Sequence, residues 1–375
     1  MNILYLTNHL NIGGITSYVL TLGSGLKQRG HNIYVASSGG QLLPQFKDLG
    51  IVYLPIPIKT KNEASPKIIL SLFKLLNAVK KNNVQIVHSQ SRTTQVLGCL
   101  LARFSGVKHI STCHGFFKKR FSRKIFPCWG QKVIAISEQV KEHLMNDFGI
   151  EEEKIRVSHN GIDVERYATR NTPHLLRQTG QHATRKRKEL GLSDGPAIGI
   201  IARLSDVKGH IYLIEAMKIV LNTLPNAQLL IVGEGKMKEE LINRVNSLGI
   251  QKNIFFIPAV ADTRDVLGVM DLFVMPSLKE GLGLALMEAM AQGLAVVGSD
   301  VGGIKSLIQD GINGLLVKPA DSQDIARAIL ELLQDTRKRD SLGREAQNFI
   351  RKNFSQEKMV TQTEEVYLEC LNAKY

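Results

Sequence analysis

The stretch Asp271-Leu-Phe-Val-Met275, then Glu280-Gly-Leu-Gly-Leu-Ala-Leu-Met-Glu288-Ala-Met-Ala291, then Leu294-Ala-Val-Val-Gly298 decides the fold. Its outer parts are short, continuous apolar runs, as expected of strands covered on both faces. Between them Gly281 and Gly283 break regular structure, whereas Leu284 to Ala291 consists of good helix formers. The spacing predicts strands at 271–275 and 294–298 and a helix at 284–292 that starts near Gly283. A strand, tight loop, helix and strand in that order make one crossover unit of a parallel sheet.

Apart from Glu288, every residue from Leu284 to Ala291 is apolar, so the helix reads as buried all round. A buried carboxylate is costly unless something pairs with it or hydrogen-bonds to it. Glu288 lies too deep in the helix to cap it, so a basic partner or ligand hydroxyls are expected to hold it. The helix start offers backbone N–H groups and partial positive charge, which suit a phosphate. Glu280 in the loop, that helix start and Glu288 together suit a ligand bearing both hydroxyls and phosphates, such as a nucleotide sugar.

The same alternation extends in both directions. Strands are predicted near 2–7, 32–36, 51–54, 84–88, 109–113, 132–136 and 154–158, with helices such as 16–29, 66–81 and 138–147. After a polar stretch from Ala168 to Lys188 the pattern restarts. Its strands fall near 196–202, 227–232, 253–257, 271–275, 294–298 and 313–317, with helices near 209–223, 236–248, 284–292 and 322–334. Helical segments from 338 to 372 finish the chain. At 375 residues the length suits two domains, at about 150 residues each. The expected class is therefore α/β: two Rossmann-like, doubly wound domains facing a central cleft, with ligands beyond the carboxyl ends of the strands. The expected division is an N-terminal domain 1–165, a basic linker or insertion 166–190, a second domain 191–354 and a C-terminal helix 355–375.

The net charge of +14 is uneven: +11 over residues 1–165, +6 over 166–190 and −3 over 191–375. The densest cluster is Lys118-Lys119-Arg120-Phe121-Ser122-Arg123-Lys124, with Phe116, Phe117, Phe126 and Trp129 nearby. Basic residues among aromatics suit an anionic membrane surface, single-stranded nucleic acid or merely water. Four scattered cysteines without a Cys-x-x-Cys point to a reducing cytosol. Met1 to Thr7 reads as a buried strand, not a signal peptide, and no run is apolar enough for a transmembrane helix.

Other candidate residues also fall at predicted strand ends. Gly13-Gly14 follows the first strand and allows close backbone approach to a phosphate or sugar, but lacks dinucleotide spacing and a Walker lysine. Arg203 and Lys208 follow strand 196–202 and could neutralise a diphosphate. Gly233-Glu234-Gly235 marks another close turn, with Glu234 read as a helix-start acid. His114 follows the strand ending at Cys113, and Asn160-Gly161-Ile162-Asp163 reads as a tight turn at the domain hinge. No Gly-x-Ser-x-Gly, no His-Glu-x-x-His, no zinc-ligand spacing and no Asp-x-Asp is present, so no metal-ligating residues are expected.

Taken in order, Gly13-Gly14, His114-Gly115, Asn160 to Asp163, Gly199 to Gly209, Gly233 to Gly235, Pro276-Ser277, Glu280 to Ala291 and Gly302-Gly303 resemble the retaining glycosyltransferases of family four, which have the GT-B fold. Leu282 departs from the phenylalanine usual between the two loop glycines. The resemblance implies that Glu280 contacts the donor sugar's hydroxyls and Glu288 the ribose. Arg203 and Lys208 would hold the diphosphate with N–H groups around Gly283 and Leu284, and Gly233 and Glu234 would border the donor. His114 and Gly13-Gly14 would line the reaction centre from an acceptor-binding first domain. The C-terminal helix would cross back to that domain. The implied activity is metal-independent, retaining transfer of a hexose or N-acetylhexosamine from a nucleoside-diphosphate sugar, UDP- ahead of GDP-. The acceptor would be a glycan or lipid-linked molecule in cell-surface polysaccharide or lipopolysaccharide synthesis. No cofactor beyond the donor and no nucleic acid are expected. The expected location is cytoplasmic, peripheral at the inner face of the plasma membrane. The alternative is a catalytically silent GT-B scaffold that binds membrane or a nucleotide sugar.

Overall fold

The predicted apolar runs become strands, each within two residues of its expected ends. The computed structural model describes residues 1–119, 123, 125–167 and 175–373. They divide into two units, residues 1–161 with 356–375, and residues 162–355. The helices Val164–Tyr167 and Leu175–Glu189 fall in the second unit, so the described parts of the segment expected as a linker are helical.

In the first unit β1 (Asn2–Leu6), β2 (Asn32–Ser37), β3 (Val52–Pro55), β4 (Ile86–Ser89), β5 (Lys108–Cys113), β6 (Lys132–Ala135) and β7 (Ile155–Val157) form one parallel sheet, ordered β3-β2-β1-β4-β5-β6-β7. Alternate residues of β1 enter opposite layers, as the period of a strand requires. Ile3 and Tyr5 pack in a cluster with Tyr18, Leu22 and Leu26 of the helix Gly14–Gln28 and with Val366 and Tyr367 of the helix Gln356–Asn372. Leu4 and Leu6 pack with Ile68, Leu72 and Leu75 of the helix Pro66–Lys81 and with Leu97 and Leu101 of the helix Arg92–Ser105.

A buried polar chain ties the last helix to this sheet. The hydroxyl of Tyr367 lies 2.7 Å from His88 Nδ1 and 3.0 Å from the Tyr5 hydroxyl, and His88 Nε2 is 2.6 Å from Thr112 Oγ1. Burial lowers the His88 pKa well below its ordinary value, so its ring is neutral.

In the second unit β8 (Ala197–Ile201), β9 (Gln228–Val232), β10 (Ile254–Ile257), β11 (Leu272–Met275), β12 (Ala295–Ser299) and β13 (Leu315–Val317) are ordered β10-β9-β8-β11-β12-β13, all parallel. The chain winds outward from β8 in one direction and from β11 in the other. The gap between their carboxyl ends is thus the switch point at which such sheets bind ligands. The helix Leu284–Ala291 joins β11 to β12 and is buried from Leu286 to Ala291, Glu288 included.

Candidate functional site

Two loops meet at the β8/β11 switch point. The loop after β8 makes a 3-10 turn, Asp206–Lys208, and enters the helix His210–Thr223 through Gly209. The loop after β11 lies against it: the N–H of Leu278 donates to the Val207 carbonyl at 2.8 Å. Gly209 is required here twice over. Its φ is 69°, and a Cβ would stand 1.9 Å from the Pro276 carbonyl oxygen.

This lacing brings Lys208 and Glu280 together. The Lys208 ammonium donates to Glu280 Oε2, and the two side chains are only 19% and 12% exposed. Glu280 Oε1 accepts from its neighbour Gly281 N–H at 3.1 Å, and Ser277 Oγ is 3.5 Å from Oε2. Three residues on, Gly283 caps the helix Leu284–Ala291 with φ 96°, in the left-handed region that favours glycine. Leu284 is half-buried, and the first N–H groups of this helix have no partner within it. A cation from one loop, and a carboxylate and a helix start from the other, are therefore brought together.

Arg203 is exposed just past β8. The next residue's N–H, that of Leu204, donates to the Glu234 carbonyl at 3.0 Å, which holds Gly233-Glu234-Gly235 against this loop. The sequence reading of Glu234 as a helix-start acid is corrected here: the helix begins at Lys238, whose ammonium is 3.7 Å from the Glu234 carboxylate. Five residues, beginning with Gly233 at φ 147°, separate the end of β9 from this helix.

Glu288 faces a different neighbourhood. It is 9% exposed, and Thr263 Oγ1 donates to its Oε2 at 2.9 Å. The Tyr167 hydroxyl hydrogen-bonds at the same place, 3.3 Å from Thr263 Oγ1. Burial pushes the Glu288 carboxyl up to about 7, against the lowering effect of the Thr263 and Tyr167 hydroxyls. The basic partner weighed from sequence is replaced by hydroxyls. Arg166, whose charge also acts to lower the Glu288 carboxyl, is itself paired with Asp262 at 3.0 Å. Thr263 and Tyr167 had no signal in the sequence, because each reaches Glu288 from a loop or short helix remote in the chain.

The first unit carries its own group of candidates. Gly13 and Gly14 begin the helix Gly14–Gln28, and a Cβ on either would meet nothing within 4 Å. His114 follows β5; its Nε2 is 2.8 Å from Gln90 Oε1, and its ring packs edge-on against Tyr18 of that helix at 4.8 Å. Because the Gln90 oxygen accepts, Nε2 carries the proton and Nδ1 presents a lone pair. Burial lowers the His114 pKa to about 3. The candidates after β1 and β5 thus share the carboxyl edge of this sheet.

Among the described residues no group of three or more His, Cys, Asp or Glu side chains is placed to hold a metal ion, and no helix is long and apolar enough to cross a membrane. Of the basic cluster 118–124, positions 120, 121, 122 and 124 lie outside the described residues. Arg123 is buried, its guanidinium 4.0 Å from the Phe117 ring centroid and 5.0 Å from that of Trp129.

Residues 183–349 match the family "Glycosyl transferases group 1", and residues 12–166 match "Glycosyltransferase Family 4". Among curated proteins the chain is 28% identical over 332 residues to the UDP-Gal:alpha-D-GlcNAc-diphosphoundecaprenol alpha-1,3-galactosyltransferase of Escherichia coli, covering 84% of this chain and 83% of that one. It is 29% identical to the N-acetyl-alpha-D-glucosaminyl L-malate synthase of Bacillus anthracis, covering 98% and 96%. Among solved structures, Anabaena Alr3699/HepE in complex with UDP-glucose superposes with a TM-score of 0.85 at 22% identity, covering 98% and 100%. A glycosyltransferase from Rickettsia africae does so with a TM-score of 0.83 at 24% identity, covering 100% and 99%. The fold these structures share with the chain is GT-B.

Proposed function

Because the chain belongs to the group 1, family-4 glycosyltransferases, we propose that it moves a hexose or N-acetylhexosamine from a UDP-sugar, ahead of a GDP-sugar, to a glycan or lipid-linked acceptor with retention of configuration. The observation that carries this reading is the pairing of Lys208 with Glu280 at the β8/β11 switch point, next to the start of the helix Leu284–Ala291. A nucleoside diphosphate placed there meets Lys208, Arg203 and the N–H groups around Gly283 and Leu284. The same placement leaves Glu280 free to accept from sugar hydroxyls.

The reaction then follows from charge. As the anomeric C–O bond breaks, negative charge grows on the leaving phosphate and positive charge on the sugar. Lys208, Arg203 and the helix start stabilise the first, which is generally the largest catalytic contribution in such a site. These groups do the work that a metal does elsewhere, so transfer proceeds without one and should survive chelation. His114, neutral at Nδ1, accepts from a sugar hydroxyl and carries no charge of its own. With no carboxylate assigned as nucleophile, the acceptor attacks on the face that the diphosphate leaves. Glu288 accepts from the ribose hydroxyls, with Gly233 and Glu234 bordering the donor and Gly13-Gly14 the reaction centre.

The relatives support an acceptor in cell-surface polysaccharide or lipopolysaccharide synthesis. The E. coli protein is named for a diphosphoundecaprenol acceptor, and another relative is a capsular polysaccharide glycosyltransferase of Staphylococcus aureus. Work on such an acceptor would place the enzyme at the inner face of a membrane. A thermal-shift screen against UDP-, GDP- and ADP-sugars, followed by donor hydrolysis with EDTA present, tests the proposal. A UDP-sugar should stabilise the protein and be hydrolysed slowly. Stabilisation by none of the donors would overturn the reading.

A further inference from the structure

The helix Pro66–Lys81 has a second apolar side. Ile68, Leu72, Leu75 and Val79 face the core. On the outward side Ile69, Leu70 and Phe73 are 47%, 57% and 66% exposed. They stand at i, i+1 and i+4, one contiguous patch on the helix surface. Lys67, Lys74, Lys80 and Lys81 are exposed along the same helix, which contains no Asp or Glu. A run of three exposed large apolar side chains on one helix is more than the scattered single ones a surface normally shows.

The patch has a defined place. Ser65 caps the helix just beyond the carboxyl edge of the sheet, and Ile69 to Phe73 occupy its first two turns. Beside it, the Arg92 guanidinium opens the next helix. It pairs with Glu63 at 2.7 Å and donates to the carbonyls of Phe126 at 2.6 Å and Pro127 at 2.9 Å. That holds the 67%-exposed Phe126 near the same end. The apolar groups therefore lie toward the sheet edge that carries His114 and Gly13-Gly14, with Lys80 and Lys81 at the far end.

The geometry points to this helix face as the docking surface for an anionic lipid bilayer, with Ile69, Leu70 and Phe73 entering the headgroup boundary and the lysines meeting lipid phosphates. Apolar residues flanked by lysines and free of acids are what an in-plane interfacial helix requires. A second copy of the chain fits poorly, because an isologous contact would bring lysines against lysines without a compensating carboxylate. Single-stranded nucleic acid fits poorly too, because Ile69 and Leu70 are aliphatic and Phe73 is the one aromatic of this convex helix, where successive bases need successive aromatic platforms. The assignment moves the membrane contact away from the 118–124 cluster, whose Arg123 is buried among aromatic rings. It deepens the proposed function and rests on it for its meaning: docking by this edge would hold the acceptor end of the first unit at the lipid surface.

The test is co-sedimentation of the full chain with vesicles of equimolar phosphatidylglycerol and phosphatidylcholine, and with phosphatidylcholine alone. Wild type should pellet with the anionic vesicles, and Leu70→Ser with Phe73→Ser should weaken that partitioning about tenfold or more. Lys67→Gln with Lys74→Gln should weaken it chiefly at low salt. UDP-sugar binding and far-UV circular dichroism check each variant's fold. Wild type that ignores anionic vesicles, or a Leu70/Phe73 variant that pellets like wild type, overturns the assignment. So does a wild-type dimer that the variant converts to monomer without any change in lipid binding. Vesicle binding without donor binding would sink the transfer reading alone and leave the docking surface standing.

Discussion

Lys208 and Glu280 neutralise one another across two loops that leave adjacent strands of the second sheet. The pair is mostly shielded from water, so each partner stabilises the charge of the other until a donor arrives. A diphosphate would draw the ammonium away and free the carboxylate for sugar hydroxyls. The freed carboxylate would then be held by those hydroxyls and not by a second cation, so donor binding would bear the cost of unpairing it.

Lys208→Ala should reduce turnover about a hundredfold or more, the usual effect of removing one transition-state donor. The loss should appear in kcat more than in KM, because charge on the phosphate is greatest as the bond breaks. Thermal unfolding should shift as well, because the Glu280 carboxylate left behind is only 12% exposed and has lost its cation. Steady-state transfer and a melt on the same preparation separate the two effects. Wild-type turnover would remove Lys208 from the chemistry.

Glu288 should make both stability and donor binding depend on pH. Its carboxyl titrates near its ordinary 4.5 when unfolded and near 7 when folded. Below about 4.5 it is neutral in both states and costs nothing. Between the two values the unfolded chain has lost a proton that the native one keeps, so stability falls as pH rises. Above about 7 the full penalty applies, at most about 3 kcal/mol for such a shift. Glu288→Gln should therefore raise the melting temperature at pH 8 and leave it nearly unchanged at pH 4.5. Donor affinity should move the other way, because a carboxylate accepts ribose hydroxyls better than an acid does. Calorimetric titration of wild type should show tighter UDP-sugar binding at pH 8 than at pH 6, and the Gln variant should flatten the difference.

The strands and the helix around Glu288 were legible because burial on both faces leaves continuous apolar runs, and Leu284–Ala291 begins and ends at residues whose propensities differ sharply. Lys208 and Glu280 were legible as strand-end residues, but not their pairing, which depends on the close approach of Gly209 to Pro276. Thr263 and Tyr167 left no trace, because a hydroxyl that supports a buried acid looks like any other Thr or Tyr. The outward face of the helix Pro66–Lys81 was hidden for a related reason. Apolar residues occur all round this helix, and only packing shows that the sheet covers Ile68, Leu72 and Leu75 and leaves Ile69, Leu70 and Phe73 outside.

His114 should stay neutral across the working range. With its pKa lowered to about 3 by burial, the native ring resists protonation while the unfolded one takes a proton near 6.5. Stability contributed by this histidine is thus complete above about 6.5 and is lost as pH falls from there toward 3. Long-range proton–nitrogen spectra should show an Nε2–H tautomer with no titration down to pH 5. A histidine that titrates near 6.5 would contradict the packing against Tyr18 and Gln90. His114→Ala should lower kcat without adding or removing a limb of the pH–rate profile between 5 and 8.

The C-terminal helix should prove integral to the first unit. Gly25 faces Val360 so closely that a Cβ would stand 2.5 Å from Cγ2 of that valine. Gly25→Ala must therefore push the helices Gly14–Gln28 and Gln356–Asn372 apart, at a cost of about 1–3 kcal/mol. Tyr367→Phe removes a hydroxyl that His88 and Tyr5 both use, and leaving buried partners unmatched costs about 1–3 kcal/mol. The two changes bear on the C-terminal helix by different means, one steric against Val360 and one polar at Tyr367, two turns apart along it. Their effects on urea unfolding should be close to additive unless the helix detaches as a unit. In that case the double variant would show an early transition, with new protease sensitivity confined to residues after 355. A double variant as stable as wild type would mean that the helix contributes nothing to the first unit's stability, contrary to its burial of Tyr367 and Val366 in the sheet's core.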